Sequence, residues 1–176
     1  MVGIIDFRKT GGQKIQDIVQ YVKDYVQNHS NIEVVVTTDS QVREGRTIFC
    51  TAVIMYDMGD GEHGHGAHCI WRKWDTPEYS VKSEDLNFME EQEKNRLRRE
   101  VQESCDVAKE LQDNGVQVDL VEMDINQDPG EKEKNHSNKI FEEMKAYVAW
   151  AGFECSWKGK SDGSCFASFP DKIVKK

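Results

Sequence analysis

Residues 32–39, Ile-Glu-Val-Val-Val-Thr-Thr-Asp, constrain the fold more than any other part of this sequence. Their β-branched side chains favour extended backbone, and the near-continuous apolar run is typical of a strand buried on both faces. The run ends at a carboxylate, Asp39, which needs a partner or a cation if it is buried in a sheet. The alternative is that Asp39 starts a turn and caps the hairpin that follows.

Glu44-Gly45 is predicted to be a turn, and two further β-rich runs, at residues 46–56 and 67–74, predict an antiparallel meander. The meander is flanked by helical patterns at residues 14–28, 83–114 and 137–152 and by strand patterns at residues 116–123 and 153–157. The tail from about Ser164 also has a helical pattern. This order predicts one α/β domain over residues 1–176, with a mixed sheet, helices on both faces and an N-terminal extension at 1–13.

The composition is that of a water-soluble globular protein, with 38% hydrophobic and 31% charged residues. No apolar run approaches the ~20 residues that a membrane-spanning helix needs. The formal net charge of -9 argues against a general nucleic-acid coat protein, because such a surface repels phosphates. The five cysteines include no CxxC pair and indicate free thiols, and the N-terminus lacks the apolar stretch of a signal peptide, so we expect a cytoplasmic protein.

Two more acids occupy positions from which they can reach the end of the first long strand. Asp124 ends the strand pattern of residues 116–124, whose even-numbered positions are expected to share one face; the alternative is a strand-to-loop transition. Glu100 lies at the edge of the apolar stripe of the long helix, with Glu93 at a similar angle, whereas Glu103 is expected to point away. A solvated position on the helix rim is the alternative for Glu100.

A fourth acid, Asp171, lies in the C-terminal Phe-Pro-Asp-Lys segment, where a surface acid beside a basic tail is the alternative. Clustered carboxylates repel one another unless divalent cations lie between them, and Mg²⁺ and Mn²⁺ prefer hard oxygen ligands. Two such ions about 4 Å apart activate a water and stabilise the leaving oxygen of a phosphodiester. Asp39, Glu100, Asp124 and Asp171 are therefore candidate metal ligands and catalytic residues.

Five motifs in order carry a family resemblance over about residues 14–176: a strand-end Thr-Asp-Ser-Gln, an Arg-x-x-Arg-Glu-Val helix, Asp-Ile-Asn after the fourth strand, a Ser-Asn-opened helix ending at Gly-Phe, and a final Asp-Lys. Together they resemble the ribonuclease H-like YkuK family. The resemblance implies a mixed five-stranded sheet of order 3-2-1-4-5, with strand 2 antiparallel and an extra N-terminal helix. It also implies that Asp39, Glu100, Asp124 and Asp171 stand where that superfamily places its metal ligands.

The resemblance implies a Mg²⁺- or Mn²⁺-dependent nuclease acting on nucleic acid, or a non-catalytic module of the same fold that binds nucleic acid, nucleotide or protein. Pro170 departs from the family pattern and is predicted to kink the last helix and displace Asp171. For the arginines near Glu100, helix-surface ion pairs are the alternative to phosphate contacts. The candidate substrate-binding residues are Ser40, Gln41, Arg96 and Arg99.

A histidine-bearing loop offers a third hypothesis, a Zn²⁺-dependent module, because His63, His65, His68 and Cys69 form an HxHxxHC cluster. Strand alternation nevertheless places His68 and Cys69 on opposite faces, which favours a plain exposed loop.

Residues 71–74, Trp-Arg-Lys-Trp, interleave aromatic and basic side chains. Alternation places Trp71 and Lys73 on one face and Arg72 and Trp74 on the other. One face either stacks a base and binds phosphate, or packs an aromatic ring against a helix beside a snorkelling base.

Overall fold

The computed structural model describes residues 6–59, 66–125, 136–157 and 168–174 of the chain. The elements within them are, in chain order, β1 (Arg8–Lys9), α1 (Ile18–Asn28), β2 (Ile32–Arg43), β3 (Arg46–Asp57), β4 (Gly66–Thr76), α2 (Leu86–Asp113), β5 (Leu120–Met123), a 3-10 turn (His136–Ile140), α3 (Phe141–Trp150), β6 (Cys155–Trp157) and α4 (Ser168–Val174). In these ranges no helix combines the length and apolar character that crossing a bilayer requires.

The strands form one mixed sheet in the order β1-β4-β3-β2-β5-β6. β3 is antiparallel to both β2 and β4, whereas β5 is parallel to β2 and to β6. The mixed α/β architecture agrees with the sequence prediction. The sheet has six strands instead of five, because the N-terminal extension supplies β1 and pairs it antiparallel with β4 at the outer edge.

The hairpin of β2 and β3 turns at Glu44-Gly45 and not at Asp39. Both turn residues have positive φ, 49° and 75°, as a two-residue type I′ turn requires. β2 therefore runs four residues beyond the predicted strand, and Asp39 lies within it, directly opposite Cys50 of β3. The interpretation of Asp39 as a turn residue is wrong.

The two faces of the sheet carry different layers. One face packs against α1, α2 and α3 through a large core that includes Val34 and Val36 of β2 and Val101 of α2. The other face carries a smaller cluster around Val35, against which Phe169 of α4 packs. Because side chains alternate along a strand, odd-numbered residues of β2, including Asp39, belong to the α4 face.

Several boundaries differ from the predicted ones because of local capping. α2 begins at Leu86 and not at Ser83, since the Asp85 side chain accepts hydrogen bonds from the backbone N–H groups of Asn87 and Phe88. α4 continues through Pro170, which lies in its first turn. The N–H groups of a first turn have no acceptor within the helix, so proline loses no helical hydrogen bond there. Pro170 therefore does not interrupt the last helix, and the predicted displacement of Asp171 stays a prediction.

β5 is shorter than predicted, starting at Leu120. Asp119 precedes it and pairs twice with Val34: its N–H donates to the Val34 carbonyl at 3.0 Å, and its carboxylate accepts from the Val34 N–H at 2.8 Å. Val116 and Val118 pack into the core of the α2 face, whereas Leu120 belongs to the α4 face. The expected common face of residues 116–124 is wrong, because residues 116–119 are not a strand.

Candidate functional site

Sheet register places two of the predicted acids side by side. The parallel ladder of β2 and β5 ends with the pair Thr38 and Met123. Asp39 and Asp124 directly follow these two residues on the adjacent strands. Adjacent strands lie about 4.8 Å apart. The Asp39 carboxylate accepts a hydrogen bond from the Ser40 backbone N–H at 2.7 Å, and both acids are half-buried. Beyond Thr38, β2 has no paired strand on the β5 side within the described residues, which leaves an edge at this point.

Glu100 approaches the same end of β2 from α2, where it meets Ser40 on the face of the sheet opposite to that of Asp39. Its carboxylate is only 3% exposed and accepts hydrogen bonds from the Ser40 hydroxyl and from Arg96, whose Nη1 lies 2.9 Å away. Burial raises the pKa of Glu100 to about 8; the positive charge of Arg96 opposes this rise, and the negative charges of Asp39 and Asp124 add to it. Glu100 is thus electrostatically coupled to both strand acids as well as to Arg96.

The three carboxylates supply only oxygen donors, the set that suits Mg²⁺ or Mn²⁺ better than softer ions. A divalent cation would offset the repulsion that contributes to the raised pKa of Glu100. In the described ranges, no three acidic, histidine or cysteine side chains are already arranged as a metal-ligand group. The fourth predicted acid, Asp171, lies on α4, which packs on β2 and β3; its side chain lies outside what the structure describes.

Two of the predicted substrate-binding residues, Ser40 and Arg96, are held by Glu100. Arg96 Nη1 also donates to the Ser40 hydroxyl at 2.7 Å and to its carbonyl at 3.0 Å, so the guanidinium clamps β2 to α2. Gln41 is half-buried on the α4 face, and its Oε1 has no hydrogen-bond partner within the described residues. These contacts make Ser40 and Arg96 positioning residues for the carboxylate of Glu100.

The remaining candidate, Arg99, belongs to a second cluster that the sequence did not reveal. Glu103, expected to point away, is fully buried and forms ion pairs with Arg72 of β4 and with Arg99. The Arg99 guanidinium also lies 5.5 Å from the ring centre of Trp74. The available signal was strand alternation, which turns Arg72 and Trp74 toward α2 and thereby offers a buried glutamate its partners.

The histidine motif is divided, as alternation predicts. His68 Nε2 lies 2.8 Å from the Tyr21 hydroxyl, and its ring stacks on Tyr25 at 4.8 Å, whereas Cys69 is buried on the opposite face. Burial lowers the pKa of His68. His63 and His65 lie outside the described residues.

Comparison with known proteins gives one finding. A family model described as Ribonuclease H-like matches residues 13–175, which spans every element from α1 to α4. No curated protein and no solved structure matches the chain. The match covers the strand, helix and strand end that carry Asp39, Glu100 and Asp124. The chain therefore belongs to the ribonuclease H-like YkuK family.

Proposed function

We propose that this protein is a divalent-metal-dependent nuclease that cleaves phosphodiester bonds. The observation that supports the proposal is that three acids from separate elements lie near the end of the β2–β5 ladder: Asp39 and Asp124 are next in register, and buried Glu100, bonded to the residue after Asp39, is electrostatically coupled to both. Membership of a ribonuclease H-like family supports a nuclease-like or nucleic-acid-binding role. Asp171 is the fourth member of the set, on the helix that covers the Asp39 face.

In this proposal Asp39, Glu100, Asp124 and Asp171 are the residues that would hold Mg²⁺ or Mn²⁺. Bound ions would supply a water of lowered pKa and Lewis-acid stabilisation of the leaving oxygen. The chain's own contribution is to fix the carboxylates in advance. Ser40 and Arg96 hold the Glu100 carboxylate against β2, so that little rearrangement is needed for substrate to meet the acids.

A second candidate is a non-catalytic module of this fold that binds nucleic acid, nucleotide or protein. The Arg96–Glu100 ion pair favours it, because a protein cation already offsets part of the charge that a metal would neutralise. The two candidates differ in one measurable respect. The nuclease converts its substrate in the presence of Mg²⁺ or Mn²⁺, whereas the binding module leaves the substrate intact.

The test is a cleavage assay on labelled single-stranded, duplex and RNA:DNA hybrid oligonucleotides with Mg²⁺ or Mn²⁺. We expect cleavage by the wild type and a loss of about 100-fold or more in Asp39→Asn, because metal positioning is lost. Asp113→Asn is the matched control, since Asp113 lies at the far end of α2 with a 62% exposed side chain. Cleavage that persists in Asp39→Asn contradicts the proposed site, and wild-type protein that binds but never cleaves supports the second candidate.

A further inference from the structure

A cleft of about 800 Å³ lies on the α4 face of the sheet, over β3 and β4. Its cations come from three separate parts of the chain: Arg8, the hairpin pair Arg43 and Arg46, and Lys73. Three acids also line it, and two of them are in ion pairs, Asp6 with Lys14 and Asp75 with Arg46. On a chain with a net charge of -9, such a group of cations in one cleft is a local exception that favours an anionic ligand.

The cleft opens beside the acid cluster. Asp39 pairs with Cys50, and Cys50 pairs with Lys73, so the three side chains form one row across β2, β3 and β4 on the same face. Because β3 lies between them, the backbones of β2 at Asp39 and of β4 at Lys73 are about 10 Å apart. Lys73 Nζ also lies 3.4 Å from the carbonyl of Ile173, so the end of α4 borders the cleft on this side.

Trp71 gives the cleft an aromatic surface. Its indole is half-buried and packs on the apolar cluster of the α4 face. On the other face, Arg72 forms the ion pair with Glu103, and Trp74 stacks on Phe49. Alternation places Trp71 and Lys73 of this motif on the cleft side, and part of Trp74 also lines the cleft. The indole Nε1 is buried with no hydrogen-bond partner in the described parts of the chain.

A half-buried indole beside several cations is a combination suited to binding single-stranded nucleic acid. Aromatic side chains stack on unpaired bases of any sequence, and cations follow the phosphates. Bases within a duplex are stacked on one another and do not offer their faces to the indole. The mixed charge of the rim argues for a short contact of a few nucleotides instead of a long electrostatic track.

We propose that the Trp71 cleft, defined by Arg43, Arg46, Trp71 and Lys73, binds single-stranded nucleic acid, with a base on Trp71 and adjacent phosphates on the cations. The role of this strand as a substrate rests on the proposed nuclease function, whereas binding in the cleft does not.

The first test measures binding of fluorescein-labelled (dT)20, (U)20 and a 20-base-pair duplex by anisotropy, in EDTA so that no cleavage occurs. We expect Lys73→Glu to weaken single-strand binding about tenfold and to reduce the slope of log K against log salt by about 0.7. Lys109→Glu carries the same charge change at a 66% exposed position on α2 and is expected to leave binding within about twofold. Equal weakening by both variants, or tighter binding of the duplex than of the single strands, contradicts the proposal that the Trp71 cleft binds single-stranded nucleic acid.

The second test isolates stacking with Trp71→Leu, which keeps an apolar side chain against the cluster. We expect binding about tenfold weaker for both single strands, with an unchanged salt slope, because no phosphate contact is removed. Thermal unfolding checks that the variant folds, and Lys73→Glu tests the cleft independently of it. Unchanged affinity in folded Trp71→Leu overturns the stacking role. Failure of the nuclease proposal appears separately, as wild-type protein that binds these strands and does not cleave them with Mn²⁺.

Discussion

Glu100 and Glu103 lie three residues apart on α2, and both are buried, but their surroundings differ. Glu103 meets two arginines, Arg72 and Arg99, and forms a charge-compensated network within the fold. Glu100 meets one arginine and one hydroxyl and also experiences the charges of Asp39 and Asp124. The comparison teaches that burial alone does not mark a functional carboxylate. The balance of charge around it distinguishes a structural ion pair from a candidate cation site.

The largest expected effect tests the structural side of this comparison. Glu103→Gln leaves the buried Arg72 guanidinium without its full counter-charge, which we expect to lower the free energy of unfolding by about 3 kcal/mol. Urea unfolding measures the change. Glu142→Gln is the matched control at an exposed position of α3 and is expected to change stability by less than about 0.5 kcal/mol. A cost for Glu103→Gln no greater than the control's would show that the network is not structural.

The next prediction concerns Glu100, whose substitution is expected to raise the free energy of unfolding, whereas that of Glu103 lowers it. The pKa of Glu100 is raised from 4.5 to about 8 in the folded protein, so the folded state holds a proton between these pH values that the unfolded state has lost. Stability is therefore fully present below about pH 4.5 and falls as pH rises toward 8. Glu100→Gln removes this loss and, in EDTA, is expected to stabilise the protein by about 2 kcal/mol at pH 8 and little at pH 5.

Thermal unfolding at the two pH values measures this difference. The control is Glu93→Gln, at a half-buried position about two turns earlier on α2. Equal stability changes at pH 5 and pH 8 would contradict the unfavourable charge at Glu100. The same Glu100→Gln variant is expected to lose metal-dependent cleavage. A stabilising change that abolishes activity is the pattern of a residue retained for function and not for the fold.

The sequence predicts the mixed α/β architecture and the meander because β-branched runs and helical periodicity are local signals. It also places Glu100 correctly against the sheet, since an angle around a helix needs no knowledge of the partner. Glu103 shows the limit of this approach. Its burial depends on an ion pair with Arg72, which reaches α2 from β4, and the helical periodicity of α2 does not record which strand supplies that partner.

The acid pair shows a second limit. Apolar alternation ends near Asp39, but β2 continues to Arg43 because the turn at Glu44-Gly45 fixes the hairpin register. The adjacency of Asp39 and Asp124 depends on the parallel pairing of β2 with β5, which is separated from it by two strands and a long helix along the chain. Long-range pairing of this kind came from the family resemblance and not from the periodicity of the residues.

The smallest expected effect sharpens the assignment of the arginines. Arg99→Gln removes one ion pair and one cation–π contact at a partly exposed position, so we expect a stability loss of about 0.5–1 kcal/mol. We expect cleavage to be retained within about threefold, since this side chain contacts Glu103 and Trp74. Arg96→Gln is the paired variant and is expected to reduce cleavage more, because Arg96 holds Glu100. Similar activities for the two variants would contradict their separation into two clusters.

Titration of the metal-free protein with Mn²⁺, followed by electron paramagnetic resonance, tests most directly whether Asp39, Glu100 and Asp124 form one cation site. We predict saturable Mn²⁺ binding to the wild type and to Asp113→Asn, weakened about tenfold or more in both Asp39→Asn and Asp124→Asn. Equal Mn²⁺ binding by all four proteins, or none by the wild type, would contradict the account.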